Sequence, residues 1–319
     1  MSCPASVVRY RRFLSDRFTV GLPQLRHLDR NFPIGIFDSG VGGLTVYRAL
    51  HERLPAERYV YLGDTARVPY GTKSLSTVER YAIENARFLE ARGVKLLVVA
   101  CNTASALALP AIRAQVSVPV VGMIEPGARA VVSGAREGGR VGVIATESTV
   151  KSGAYSKAIR ELAPRLEVFE RACPLFVSLA EEGWAETEVA RTVAEEYLRS
   201  LREREVTALV LGCTHYPILR RAIQAAVGAS VRLIDSGEEA ARAVETLIEK
   251  EDLRRTATQE LRDLSEAGAR ARFLCDDLDH FYVTDAAERF AHVAERFLGA
   301  APRRLEAVEV WGHDELQTR

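Results

Sequence analysis

The chain has 319 residues, 47% of them hydrophobic, with 43 basic and 43 acidic side chains and a formal net charge of zero. That length allows two domains of ordinary size and a sizeable core. The charge balance argues against nucleic acid or an anionic membrane surface as a general partner, and no apolar run approaches the roughly 20 residues needed to span a bilayer.

Residues 1–32 stand apart. They carry Arg9, Arg11, Arg12, Arg17, Arg26 and Arg30 against only Asp16 and Asp29, with no continuous apolar run of the secretory kind. They are expected to be a loosely ordered N-terminal extension or the trace of a start codon set too early, although the next methionine is Met123. From Pro33 onward apolar runs alternate with helix-patterned stretches. Strands are expected over 34–37, 58–62, 96–100, 118–123, 141–145, 166–169, 208–211 and 231–234. Helices are expected over 43–54, 75–92, 103–115, 150–162, 185–204 and 218–226. A further helix, a charged stretch over 249–272, and a short apolar run with a helix up to Leu298 follow. Such alternation predicts an α/β fold built on parallel sheets covered by helices.

The strands fall into two comparable sets. IGIFDSG from Ile34 matches VGVIATE from Val141, Pro69 matches Pro174, Cys101 matches Cys213, and GMIEPG from Gly122 matches RLIDSG from Arg232, all at offsets of roughly 110. Two similar domains are therefore expected, each a parallel-sheet α/β unit flanked by helices, with the active site in the cleft between them. The first would comprise residues 33–125 plus 236–300 and the second 126–235, leaving 301–319 as a surface tail. In open parallel sheets ligands bind beyond the carboxyl ends of the strands, and every polar landmark lies there.

Five widely spaced cysteines (Cys3, Cys101, Cys173, Cys213 and Cys275) include no CxxC pair. This argues against a disulfide framework or a zinc ribbon and suits a cytoplasmic location. Cys101 and Cys213 each end an apolar run and precede small hydroxyl or amide residues that can open a helix. Free backbone N–H groups and the helix dipole stabilise a thiolate there. Inert buried thiols are common, but a matched pair points to acid–base chemistry from two sides of one carbon. Asp38 and Ser39 sit in FDSGVGGL, whose glycines permit a tight turn without making a P-loop or a GxGxxG fingerprint. Asp38 could orient a ligand ammonium, hold a proton near a thiol, or cap the following helix. His215, two residues after Cys213, could exchange protons with it or be structural; with Cys213 alone it makes no metal site. Asn102, Thr103, Thr146, Thr149 and Thr214 suit a small carboxylate ligand, or serve as helix caps. Either Glu181 or Glu182 could reach the cleft, although by pattern alone both read as a solvated helix start.

Together GIFDSGVGGLTV, YLGDTARVPYG, VVACNTAS, VGMIEPG, VGVIATESTVKSGAY, CPLFV and LGCTHYPIL resemble the glutamate racemases, within the aspartate/glutamate racemase superfamily. The resemblance runs from about Pro33 to Gly237 and more weakly through FYVTDAAERFAHVAERFLG. It implies cofactor-independent racemisation of glutamate, with Cys101 taking the proton from D-glutamate and Cys213 from L-glutamate, in the service of peptidoglycan synthesis. It implies support of Cys101 by Asp38 and of Cys213 by His215 and Glu181. Substrate contacts would come from Asp38, Ser39, Tyr70, Gly71, Asn102, Thr103, Thr149, Thr214 and His215. Neither a metal nor another cofactor is implied, and a homodimer is left open. Some relatives with N-terminal extensions respond to UDP-N-acetylmuramoyl-alanine. The competing readings are a racemase for another amino acid and a non-catalytic module that binds a small carboxylate, which would need no thiols.

Overall fold

A computed structural model describes residues 29–255 and 272–311. Most of the N-terminal extension and of the charged stretch lies outside the described residues, as does Cys3.

The chain runs β1 (Ile34–Asp38), α1 (Leu44–Arg53), β2 (Tyr59–Gly63), α2 (Leu75–Glu90), β3 (Leu96–Val99), α3 (Asn102–Gln115), β4 (Val120–Val121) and α4 (Ile124–Ser133). It continues through β5 (Arg140–Ala145), α5 (Glu147–Ser152), α6 (Ala154–Leu162), β6 (Glu167–Ala172), α7 (Leu175–Glu181), α8 (Glu188–Glu203), β7 (Ala208–Gly212), α9 (Arg220–Val227) and β8 (Arg232–Asp235). α10 (Ser236–Lys250), β9 (His280–Val283), α11 (Ala287–Leu298) and β10 (Leu305–Ala307) complete it.

The strands form two sheets, ordered β10-β9-β2-β1-β3-β4 and β6-β5-β7-β8. Every pairing in both is parallel. The order β2-β1-β3-β4 repeats as β6-β5-β7-β8, so the landmarks shared by the two halves of the sequence occupy matching strands. The central strands are apolar and buried throughout, as helix-covered parallel strands must be: β1 (IGIFD), β3 (LLVV) and β7 (ALVLG) show no exposed position. One apolar core runs through both sheets, joining Ile34, Ile36 and Leu96 of the first to Leu209 and Leu211 of the second. Separate clusters cover the other face of each sheet, around Phe37, Leu97 and Val99 in one and Val141, Val143 and Val210 in the other.

Several local expectations change. The helix expected over 150–162 is two helices, because Gly153 adopts a left-handed φ of 64° and turns the chain between α5 and α6. α4 and α7 are additional helices; α4 occupies the segment around Glu125–Gly127 where a domain crossing is expected, and it packs Ile124, Ala128 and Val131 against the second sheet. Residues 305–307, expected in a surface tail, are instead the edge strand β10, and Ala307, Val308 and Val310 are buried beside it. Their short, charge-interrupted run gives little periodicity from which a strand can be read.

Candidate active site

Both matched thiols sit just beyond the carboxyl ends of central strands. Cys101 follows β3 and is the N-cap of α3, its Sγ accepting from the N–H of Ala104 at 3.4 Å. Cys213 follows β7 directly. Both are free and buried. The helix start expected at both is found only at Cys101; after Cys213 the chain first makes a tight turn through Tyr216–Leu219, and α9 opens only at Arg220, so no helix N-terminus faces that thiol.

The loop after β1 brings the first sheet's polar groups to Cys101. Asp38 is 1% exposed, and its Oδ2 accepts from the N–H of Gly40 at 2.9 Å. Its Oδ1 is buried with no hydrogen-bond partner, a costly state for a carboxylate oxygen unless a ligand donor fills it. Burial raises the Asp38 carboxyl above the usual range, with His215 and the Gly40 N–H acting against it. Burial also pushes the Cys101 thiol up to about 12; nearby Asp38 adds to this, while Ala104 and the hydroxyl of Ser39 oppose it. Ser39 is partly buried.

The second thiol has a different setting. The Nδ1 of His215 lies 3.8 Å from the Sγ of Cys213, and its Nε2 lies 3.0 Å from Oε1 of Glu181 at the end of α7. Burial alone would lower the imidazole, but contact with Cys213 and Glu181 raises it to about 10. Glu181 is drawn below the ordinary carboxylate range: burial would raise it, but His215 and Arg289 outweigh this. Glu182 makes no such contact; it is exposed and faces Arg289. The choice between the two glutamates, which the sequence leaves open, falls to Glu181 because α7 ends there.

The two loop sets interlock. A Cβ on Gly42 would stand 2.3 Å from Oγ1 of Thr214 and 2.5 Å from the ring of His215, so only glycine lets the β1 loop approach the Cys213 loop so closely. Thr103 of α3 meets Thr146 and Thr149 in a triangle of hydroxyls with edges of 2.9, 3.1 and 3.0 Å. Asn102 accepts from the hydroxyl of Tyr155 at 2.6 Å and donates to Ser236 at 3.3 Å, and Ser236 donates to the carbonyl of Leu211. The carbonyl of Gly71 accepts from Ser148 of α5 at 2.7 Å.

The hydroxyl of Tyr70 is engaged within the first sheet's own loops. It is buried against Asp64 and accepts from Asn85 at 3.1 Å, within a network that includes Arg67. The hydroxyl is thus committed to holding its own loop. Cys173 and Cys275 are buried, and burial raises both thiols. The sequence reading omits Thr45, Tyr155, Ser236 and Arg289; each acts across the sheets, and nothing in its local sequence marks that. Among the described residues, no group of three His, Cys, Asp or Glu side chains could hold a metal ion, and no helix is long and apolar enough to cross a membrane.

This arrangement can be set beside known proteins. The model of the Asp/Glu/Hydantoin racemase family matches residues 34–244. A glutamate racemase of Geobacter metallireducens is 54% identical over 266 residues, 83% of this chain and 92% of that protein. The crystal structure of a Francisella tularensis glutamate racemase in complex with D-glutamate superposes with a TM-score of 0.77 at 37% identity, covering 88% of this chain and 98% of that one. A Thermus thermophilus glutamate racemase in complex with β-chloro-D-alanine gives a TM-score of 0.73 at 44% identity, covering 90% and 100%. With paired thiols at matching strand ends and likeness along nearly its whole relatives' length, the chain belongs to the glutamate racemases of the Asp/Glu/Hydantoin racemase family, amino-acid isomerases.

Proposed function

We propose that the protein interconverts L- and D-glutamate in the cytoplasm without a cofactor, by two-base proton transfer at the α-carbon, and so supplies D-glutamate for peptidoglycan. The observation that carries this reading is the pair of buried free thiols at equivalent ends of β3 and β7, each with its own charged partner. Cys101, held protonated by burial and by Asp38, is poised as the acid. Cys213, 3.8 Å from Nδ1 of His215, is poised as the base. That is the state that receives L-glutamate; after one turnover the thiols have exchanged roles, ready for D-glutamate.

An amino-acid α-proton is very weakly acidic, and each pKa unit of mismatch with a thiol costs about 1.4 kcal/mol. The site offers two remedies. Donors at the start of α3 and in the loop after Cys213 can stabilise carbanionic charge, and the burial of both thiols excludes water that would weaken them. The unpartnered oxygen of Asp38 suits the substrate ammonium. Thr103, Thr149 and Thr214, with Asn102 and the backbone at Gly71, suit its carboxylates, and closure of the two sheets over the substrate would expel solvent.

Racemisation of L-glutamate in deuterated water, with no cofactor added, tests the proposal. Deuterium should enter the α-position of the D-glutamate formed. Racemisation at the wild-type rate by Cys101→Ser or Cys213→Ser would refute the two-base assignment, and turnover of aspartate but not glutamate would refute the substrate.

A further inference from the structure

The Glu181–His215 pair belongs to the loops of the second sheet, yet a helix that leaves the first sheet reaches it. From α11, Nη2 of Arg289 stands 3.5 Å from Oε2 of Glu181 and 3.6 Å from Oε1 of Glu182. The same helix sends Arg296 to the carbonyl of Glu181 and sets Phe297 edge-on to the His215 ring, with centroids 6.0 Å apart. Because Oε1 of Glu181 faces His215, a continuous line of groups runs Arg289–Glu181–His215–Cys213. Cys101 has a different charged neighbour, Asp38, on the other side of the site.

We propose that Arg289 is a positioning residue for the Cys213 half of the reaction: it holds the outer oxygen of Glu181, which keeps the inner oxygen on His215 and the imidazole against Cys213. The inference rests on the glutamate racemase reading. It adds a residue from the C-terminal stretch where the resemblance is weaker and makes the C-terminal helix part of the site's electrostatics.

Other groups bear on this line. Arg296 and its neighbour His292 lie on α11, Glu182 follows α7, and Asp38 and Cys101 face it from the first sheet. Cys173, Tyr155 and Tyr216 lie near Cys213, and burial, with Cys213 adding to it, raises all three, so they stay protonated at working pH. Removing one cation raises the affinity of every neighbouring group for protons, most strongly for those nearest. Loss of the Arg289 charge should therefore hinder proton removal on the Cys213 side and leave the Cys101 side less affected.

Enantiomers have equal free energy, so kcat/KM must remain equal in the two directions for any variant. The telling measurement is the pH profile of kcat in each direction. In Arg289→Gln the acid limb for L-glutamate should move up by about half a pH unit, the size expected of a largely exposed ion pair, with a smaller move for D-glutamate. Arg289→Lys should restore it, and roughly 1 M salt, where screening acts within about 3 Å, should shrink the difference. The Arg289 side chain is 66% exposed, so neither variant threatens the fold. An unmoved profile in Arg289→Gln, an equal move in both directions, or a shift that salt leaves undiminished would overturn the proposal. If the wild-type protein does not racemise glutamate at all, it is the functional reading that fails instead.

Discussion

The hydroxyl of Thr45 donates to the carbonyl of Thr214 at 2.8 Å, tying the first turn of α1 to the loop that carries Cys213. Thr45 is buried and also reaches the carbonyl of Gly42 at 3.1 Å. The bond therefore fixes one thiol's loop relative to the loop that carries Asp38.

Replacing Thr45 by Val keeps the shape and removes the donor. The Thr214 carbonyl is then left without that partner, which should cost about 1–3 kcal/mol. Urea denaturation should show the loss, and Thr45→Ser should recover most of it. A Val variant with unchanged stability and kcat would show that the bond holds nothing in place.

Gly42→Ala tests the interlock from the other side. The added methyl would meet Thr214 and the His215 ring well inside contact distance, and overpacking of this kind costs about 1–3 kcal/mol. The Cys213 loop must shift, and a displacement near 1 Å at a catalytic group can cost about 10²-fold in rate. We expect a large fall in kcat with the circular dichroism spectrum retained; wild-type kcat would mean that the loops can part without consequence.

His215 predicts a pH dependence of stability. Its folded value of about 10 lies above the ordinary 6.5. A group raised on folding lends its stabilisation fully below the unfolded value and loses it as pH climbs through the folded one. The stability difference between wild type and His215→Gln should thus be largest near pH 6 and dwindle towards pH 10. Glu181, held low, behaves in the opposite sense: its contribution is present above its ordinary 4.5 and is lost as pH falls. Urea midpoints from pH 6 to 10 would contradict the His215 assignment if the difference grew with pH.

At the opposite end of the first sheet, Lys95 is wholly buried and donates to Glu57 at 2.5 Å and to the carbonyls of Arg30 and Leu253. Lys95→Met would strand the Glu57 carboxylate in the interior, at a cost of about 3–5 kcal/mol. Thermal unfolding should register that loss, whereas the double variant Lys95→Met, Glu57→Gln should recover part of it. Equal stability of the Met single variant and wild type would contradict this.

Much of this architecture was legible before any coordinates. Cys101 and Cys213 stand out because a thiol at the end of an apolar run has a predictable place in a parallel sheet, and the repeat gives each a counterpart. His215 follows from its spacing to Cys213. Tyr70 shows the limit of a motif: it marks a residue near the site, but the partner its hydroxyl takes depends on Asp64, Arg67 and Asn85 arriving from different elements. Arg289 was hidden for a related reason. An arginine on a surface-patterned helix looks like solvated charge until the fold lays that helix against Glu181. Gly153 could have been read as a helix break, since glycine favours the left-handed turn it makes there; the amphipathic pattern on both sides of it masks the signal.

The placement of β9, α11 and β10 has a consequence for the order in which the molecule can be made. These elements come last in the described chain, yet β9 pairs with β2 inside the first sheet and α11 supplies the residues that touch Glu181 and His215. A nascent chain emerging from the ribosome carries both thiols long before the helix that completes the surroundings of one of them. The second sheet can form while the first still lacks its outer strands, so the active site is finished only when the carboxyl-terminal residues arrive, and a truncated product would hold both cysteines without their full charge environment.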